Sequence, residues 1–283
     1  MTLFIKSIIR ILQISKNEVG DIDGYVAISL LNTMLEQFSE KLDGVIILFV
    51  KILITELSNK EISKAFRLHV LQMVSYMLIY NVPLTLKTFT ETNVMTPVFQ
   101  NFFSSLHRYS EIEQFRNLIY GITCLITTDF ENLPDMIKAS MPKIVESLIK
   151  LMRKYTQERE REKVDEVEDQ MTALPQDSEQ RTEKNLILEK LKEAAINDPE
   201  EEEAEDDLDF KEDDDYLWSR TDSFYYKSKL EQIEAPLYFR DVLHSMKEQR
   251  PESYEAFIAV FSEGSKTVLD NIIQRCEYLQ AFN

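Results

Sequence analysis

The side chains best able to bind a partner are the carboxylates of one segment, Asp198 to Asp215, which contains thirteen acidic residues and one lysine. So dense a charge of one sign attracts a polybasic protein, and it accelerates association more than it selects among partners. The alternative is a solubilising linker without a partner. The candidate residues for binding a basic protein are Asp198, Glu200, Glu201, Glu202, Glu203, Glu205, Asp206, Asp207, Asp209, Glu212, Asp213, Asp214 and Asp215.

Aromatic residues lie among these carboxylates or next to them, and Phe210, Tyr216 and Trp218 are candidate anchor residues for the same partner. Buried aromatic side chains contribute much of the binding energy at protein interfaces. The same residues, together with Leu217, could instead pack against the rest of the chain. The sequence leaves both interpretations open.

The remaining reactive residues form no known catalytic or metal-binding pattern. His69, His107 and His244 have no second ligand at metal-binding spacing, and HExxH, GxSxG and Walker-type motifs are absent. The two cysteines stand far apart: Cys124 is interpreted as a packing residue of an apolar helix, and the pair fits a reducing compartment. We therefore expect no enzymatic activity, no bound metal and no cofactor.

Net charge and hydropathy exclude two further classes of function. The net charge is −18, so direct nucleic-acid binding is not expected, because phosphate contacts need clustered Lys and Arg. Lys6 and Arg10 interrupt the apolar N-terminus, which therefore does not resemble a signal peptide. The most apolar run, Val45 to Ile54, is shorter than the roughly 20 residues of a membrane-spanning helix. We expect a soluble protein with a basic protein partner.

Apolar residues recur at three- and four-residue spacing along most of the chain, which predicts a series of helices with short connections. Sequential helices should then be antiparallel neighbours, and one helix pair per roughly 40 residues is typical of HEAT-type solenoids. The predicted fold is all-α: a HEAT-like helical-repeat solenoid, or α-α superhelix, with a long acidic disordered insertion. Helices are predicted at about 3–14, 24–38, 45–57, 60–80, 83–91, 96–107, 112–127, 133–139, 142–155, 183–195, 236–248, 252–261 and 265–279.

A change in composition divides the chain into three parts. Residues 1–156 are predicted to form HEAT-like repeats, and residues 224–283 to form C-terminal helices that complete the solenoid. Residues 157–223 are dominated by Glu, Asp, Gln and Lys and have too few apolar residues to offset the entropy lost on ordering. They are predicted to be a largely disordered acidic loop that contains one possible helix.

Three segments, in order, resemble nuclear transport receptors of the importin-beta (karyopherin-beta) family, in particular the importin seven and importin eight branch. Arg67 to Glu91 contains the Tyr-Asn pair that ends a helix there, followed by a Leu-rich helix. Phe115 to Tyr155 matches the next helix pair, with small residues around Gly121 and Cys124 and a later proline, Pro142. Tyr238 to Ile272 resembles the last repeat, whose Pro-x-x-Tyr turn is Pro251 and Tyr254 here, and the acidic stretch also falls between the last two segments.

The resemblance implies a receptor that binds protein cargo of the histone or ribosomal-protein type and shuttles between cytoplasm and nucleus through the nuclear pore. It also implies binding of phenylalanine-glycine repeats of nucleoporins, for which Phe99, Phe102 and Phe103 are candidates, the alternative being ordinary helix-packing residues. The repeats that bind the GTPase Ran in this family have no counterpart here, so Ran is a partner only if such repeats precede the chain. The competing hypothesis is a helical scaffold or acidic chaperone without a transport role.

Overall fold

The computed structural model describes residues 3, 5–8, 10, 22–38, 40–172, 179–196 and 233–280. In this part of the chain every regular element is a helix and no β-strand occurs, which confirms the prediction of an all-α protein. Three short 3₁₀ turns, at 43–45, 106–108 and 130–132, connect some of the helices. The helices are α1 (Ile22–Gln37), α2 (Ile46–Ser58), α3 (Lys64–Tyr80), α4 (Val82–Glu91), α5 (Met95–Ser104), α6 (Ile112–Ile126), α7 (Asp135–Thr172), α8 (Glu179–Ile196), α9 (Ala235–Gln249), α10 (Pro251–Ile258) and α11 (Glu263–Gln280).

The helices pack in two layers. In the first layer α1 contacts α3, α3 contacts α6, and α6 contacts α9. In the second layer α2 contacts α4, α4 contacts α5, α5 contacts α7, and α7 contacts α11. The layers meet where α3 packs against α2, α4 and α5, where α6 packs against α7, and where α9 packs against α11. The C-terminal helices therefore extend both layers, although a long stretch of sequence separates them from α6 and the start of α7.

Local signals in the sequence set the boundary between α3 and α4. The Ser63 hydroxyl accepts a hydrogen bond from the Phe66 amide, which satisfies one of the free donors at the start of α3. Asn81 ends α3 and caps α4 by accepting from the Leu84 amide at 3.0 Å. The Tyr80 hydroxyl accepts from the Leu42 amide at 2.9 Å and donates to Asp43. The Tyr-Asn pair seen in the sequence thus fixes a helix junction.

Helices α3 and α6 cross at a point where only small residues fit. A Cβ atom built on Gly121 of α6 lies 2.7 Å from the Cα and 2.8 Å from the Cβ of Ser75 in α3. Both distances are shorter than real Cβ contacts, and the atoms belong to backbone or to the first side-chain carbon, so they cannot move aside alone. Ser75 is fully buried. The close approach of the two central helices therefore depends on glycine at position 121.

We expect Gly121→Ala to lower the free energy of unfolding by about 2 kcal/mol, because the added methyl group forces the two helices apart. Elsewhere in a helix the same change favours folding by up to about 1 kcal/mol, so the sign itself is diagnostic. Urea denaturation followed by circular dichroism measures the change. Gly44→Ala is the matched control, since no atom lies within 4 Å of its added Cβ, and its stability should change by less than about 0.5 kcal/mol. Equal losses in the two variants would contradict this account.

Helix α7 differs from the prediction at Pro142 and at its end. The sequence predicts two helices, 133–139 and 142–155, but α7 runs without interruption from Asp135 through Pro142 to Thr172. Proline removes one helical hydrogen bond, and apolar residues on both sides of it, Ile137 and Ile144 among them, are buried in the common core and offset that loss.

The sequence also predicts that a disordered loop begins at residue 157, but α7 continues as a helix to Thr172. Ion pairs one turn apart, Arg161 with Glu158 and Lys163 with Glu166, stabilise the polar half of α7. Packing of α11 and α8 along the same half adds tertiary contacts that the composition does not reveal. The helix predicted at 183–195 is present as α8, Glu179–Ile196.

Candidate binding site

The residues that the sequence assigns to partner binding lie outside the described part of the chain. This holds for all thirteen carboxylates between Asp198 and Asp215 and for Phe210, Tyr216 and Trp218. What the structure places is the helical body on either side of them, from the end of α8 at Ile196 to the start of α9 at Ala235.

The start of α9 is fixed by a buried ion pair, here called the Glu234 cluster (Tyr155, Arg159 and Glu234). The Tyr155 hydroxyl donates to Glu234 Oε2 at 2.6 Å, and Arg159 donates to Oε1 through Nη2 at 2.9 Å and Nε at 3.3 Å. Burial raises the pKa of Tyr155 far above its usual range, Glu234 adds to this rise, and Arg116 opposes it. The tyrosine therefore keeps its proton and acts as a hydrogen-bond donor.

A second contact holds the residue before Glu234. The Tyr120 hydroxyl in α6 donates to the Ile233 carbonyl oxygen at 2.7 Å, and its ring meets the Tyr238 ring edge-on, with centroids 4.6 Å apart. The Tyr238 hydroxyl in turn lies 3.7 Å from the Cys124 sulfur. Residues from α6 and α7 thus hold both Ile233 and Glu234, immediately before α9 begins.

The last helix is attached to α7 by a further buried ion pair. Arg275 of α11 donates to both carboxylate oxygens of Glu160, through Nε at 2.8 Å and through Nη2. One turn before Glu160 in α7, the Thr156 hydroxyl lies 3.3 Å from the sulfur of Cys276, the residue after Arg275. Burial raises the pKa of Cys276 to about 12, so its thiol is not a reactive nucleophile at neutral pH. These contacts attach the C-terminal helices to α7 and perform no chemistry.

Helix α8 packs against α7, and Lys184 of α8 contacts Gln170 of α7. Ile196 ends α8 twelve residues beyond Lys184, and it is the last described residue before the acidic segment.

The histidines and cysteines form no reactive group. His69 is buried, and its Nε2 lies 3.0 Å from the Ser29 hydroxyl and 3.3 Å from the Tyr25 carbonyl oxygen. His107 and His244 are exposed. Burial raises the pKa of Cys124, in line with the packing role predicted for it. Within the described ranges no group of three or more His, Cys, Asp and Glu residues is arranged to hold a metal ion.

His69 should make the stability of the protein depend on pH. Burial lowers its pKa from 6.5 to about 4, so the unfolded chain takes up a proton at a higher pH than the folded chain does. The free energy of unfolding should therefore fall as the pH drops from 6.5 to 4, by about 3 kcal/mol in total. Urea denaturation at several pH values measures this slope. His69→Gln should flatten it and His107→Gln should leave it unchanged, and parallel slopes for all three proteins would refute the assignment.

Two of the three candidate phenylalanines for nucleoporin binding are core residues. Phe99 and Phe102 are fully buried, and Phe99 packs edge-on against Phe89 with centroids 5.8 Å apart. Phe103 is only partly buried and stacks on Phe99. Phe99 and Phe102 therefore serve helix packing, which is the alternative that the sequence left open.

Sequence reasoning did not identify the Glu234 cluster or the Glu160–Arg275 pair. Both carboxylates lie among other charged residues in the sequence, and residue type alone does not distinguish them from exposed carboxylates. The one available signal is that Glu234 stands immediately before Ala235 and Pro236, at the start of a helix, where a carboxylate is favoured. Its partners Tyr155 and Arg159 are far away in sequence.

Comparisons with models of known protein families, with curated proteins and with solved structures found no match to this chain. The resemblance to importin-beta receptors therefore remains a prediction from the three sequence segments. In the described residues, no helix is both long enough and apolar enough to cross a membrane.

Proposed function

We propose that this chain binds basic proteins and acts as the C-terminal, cargo-binding part of a nuclear transport receptor of the importin-beta type. In this proposal the helices form a HEAT-like solenoid that performs no catalysis. The acidic segment Asp198–Asp215 attracts polybasic cargo, and the protein shuttles between cytoplasm and nucleus through the nuclear pore. Ran is a partner only where Ran-binding repeats precede the chain.

The observation that carries the binding proposal is the dense negative charge of Asp198–Asp215 in a stretch of chain that joins two parts of the helical body. Thirteen carboxylates lie in the acidic segment, and the described chain resumes at Ile233 and Glu234, which side chains of α6 and α7 hold on the helical body. A charge attached at both ends to a rigid body keeps a captured basic protein close to that body. Long-range attraction raises the rate of encounter, and contacts with the body can then select among the proteins captured.

The order of the helices supports the transport half of the proposal. The three segments that resemble importins cover α3 and α4, then α6 and the first part of α7, then α9 to α11. These are consecutive parts of the two layers, and the acidic segment falls between the last two. A scaffold or acidic chaperone for basic proteins without a transport role is the second candidate, and the charge of the segment supports it equally.

Binding to immobilised phenylalanine-glycine nucleoporin repeats separates the two candidates. A transport receptor should be retained on the repeats at low salt and lost when each repeat phenylalanine is replaced by serine. Retention is expected because receptors of this family cross the pore by such contacts. A chain that binds basic proteins but shows no retention on either matrix is a chaperone or scaffold, and the transport role is then wrong.

A further inference from the structure

Arg116 of α6 is a buried cation whose hydrogen-bonding capacity is not fully used. The residue is only 8% exposed, and its Nε has no hydrogen-bond partner in the described part of the chain. A guanidinium has five N–H donors and no acceptor. An arginine also stays charged in proteins, so it does not relieve burial by losing its proton, as a buried lysine does. Such a group requires an acceptor that carries negative charge.

Arg116 lies beside the Glu234 cluster. Burial raises the pKa of both Tyr155 and Tyr120, and the nearby Arg116 guanidinium opposes the rise in each. The Tyr155 oxygen can accept one hydrogen bond from Arg116, because its own proton is donated to Glu234. Tyr120 follows Arg116 by one turn of α6, so the two side chains share a face of that helix. The Tyr120 hydroxyl donates to the Ile233 carbonyl oxygen, so this face is turned toward the start of α9.

The charges of the described residues do not balance where α6, α7 and α9 meet. Two guanidinium groups, Arg116 and Arg159, lie near one buried carboxylate, Glu234, whose two oxygens accept from Tyr155 and Arg159. Glu162 also pairs with Arg159, but its side chain is 46% exposed, so water screens its charge. One positive charge is therefore left over in a largely buried place, where an uncompensated charge is costly.

We propose that Arg116 is the binding site for one small monovalent inorganic anion of the size of chloride, which accepts a hydrogen bond from Nε where α6, α7 and α9 meet. One negative charge balances the group, whereas a dianion would reverse its sign. The Nε atom is enclosed by protein, which favours a single-atom ion over phosphate or an organic acid. Ile233, next to Glu234, is 43% exposed, so the site lies just below the surface and within reach of a small ion.

The bound anion has a consequence for stability, because it stabilises the joint between the C-terminal helices and the rest of the body. An ion that binds only the folded chain lowers the unfolding equilibrium constant in proportion to its free concentration, once that exceeds the dissociation constant. The site does not rest on the proposed function, since it uses no residue of the acidic segment. The net charge of −18 makes the whole protein sensitive to ionic strength, which must therefore be held constant in the test.

Urea denaturation at constant ionic strength, with chloride replacing gluconate, tests the site. In the natural protein, tenfold more chloride should lower the unfolding equilibrium constant about tenfold once the site is saturated. Arg116→Met should remove this dependence. Arg161→Met is the matched control and should retain it, because the Arg161 side chain is 72% exposed and pairs with Glu158. An equal dependence on chloride in both variants, or none in the natural protein, overturns the proposal.

The line width of the chloride NMR signal gives a second readout, because exchange with a protein-bound site broadens it. We expect excess broadening with the natural protein and with Arg161→Met, and its loss in Arg116→Met. Bromide should also remove the broadening from the natural protein, and gluconate should not, so the test stands even where Arg116→Met does not fold. Absence of excess broadening would show that water satisfies Arg116 and would overturn the proposal. Removal by phosphate at lower concentration than by bromide would overturn the choice of a monovalent ion.

Discussion

Replacing Glu234 by alanine is expected to lower the free energy of unfolding by about 3 kcal/mol, because it leaves the Arg159 guanidinium in a largely buried place without its main counter-ion. The carboxylate accepts hydrogen bonds from Arg159 and Tyr155, and the side chain is only 9% exposed. Tyr155 also loses its acceptor and becomes a buried donor without a partner. Urea denaturation measures the loss, and circular dichroism checks that the variant still folds.

The chain supplies a matched control for this experiment. Glu162 pairs with the same arginine at 2.8 Å, but its side chain is 46% exposed. Glu162→Ala should therefore cost less than about 1 kcal/mol, as exposed ion pairs usually do. Replacing Arg159 and Glu234 together by methionine should recover much of the stability lost in Glu234→Ala, since no isolated charge is then buried. If the two alanine variants are equally stable, the cluster does not hold the start of α9 on the helical body.

The helices that the sequence predicts well are those with strong apolar spacing and a local stop signal. The helix expected from Lys60 to Tyr80 is α3, Lys64–Tyr80. Its end follows from Asn81 and Pro83, which lie within three residues after Tyr80 in the sequence. Its start was predicted too early because Ser63 is the cap residue and the polar residues before it remain outside the helix. An error of this size concerns only a terminal turn of the helix.

Helix α7 was predicted poorly because its continuity depends on tertiary contacts. A break at Pro142 and an end near residue 156 are what local propensity alone indicates. The continuous helix is stabilised by burial on both sides of Pro142, by the pair between Glu160 and Arg275, and by packing of α8. Arg275 is far from Glu160 in the sequence, and α8 lies beyond the end of α7. No local pattern in the sequence of α7 identifies these partners.

The candidate binding site could likewise be predicted from the sequence only in part. The number of carboxylates between Asp198 and Asp215 can be counted in the sequence, and their charge follows directly. The contact of Glu234 with Tyr155 and Arg159 could not be predicted, because 79 and 75 positions separate these residues in the sequence.

Deleting residues 198–215 is expected to weaken binding of a lysine-rich histone-tail peptide by at least about tenfold at low salt, which corresponds to about 1.4 kcal/mol or the loss of a few ion pairs. The dependence of affinity on salt should flatten at the same time, because fewer opposite charges are brought together. Isothermal titration calorimetry at several salt concentrations measures both quantities. The helical circular dichroism signal should remain nearly unchanged, since α1 to α11 lie outside the deleted residues.

Two variants of the same length distinguish charge from sequence. Replacing the thirteen carboxylates by Asn and Gln should weaken binding as much as the deletion does. Shuffling the order of residues 198–215 should preserve the affinity, because attraction at long range depends on the number of charges and little on their order. Loss of binding on shuffling would show a sequence-specific contact, with Phe210 as the first residue to test. Unchanged affinity and unchanged salt dependence in the deletion variant would show that the segment is a linker, and the proposed binding of basic proteins would then have no support.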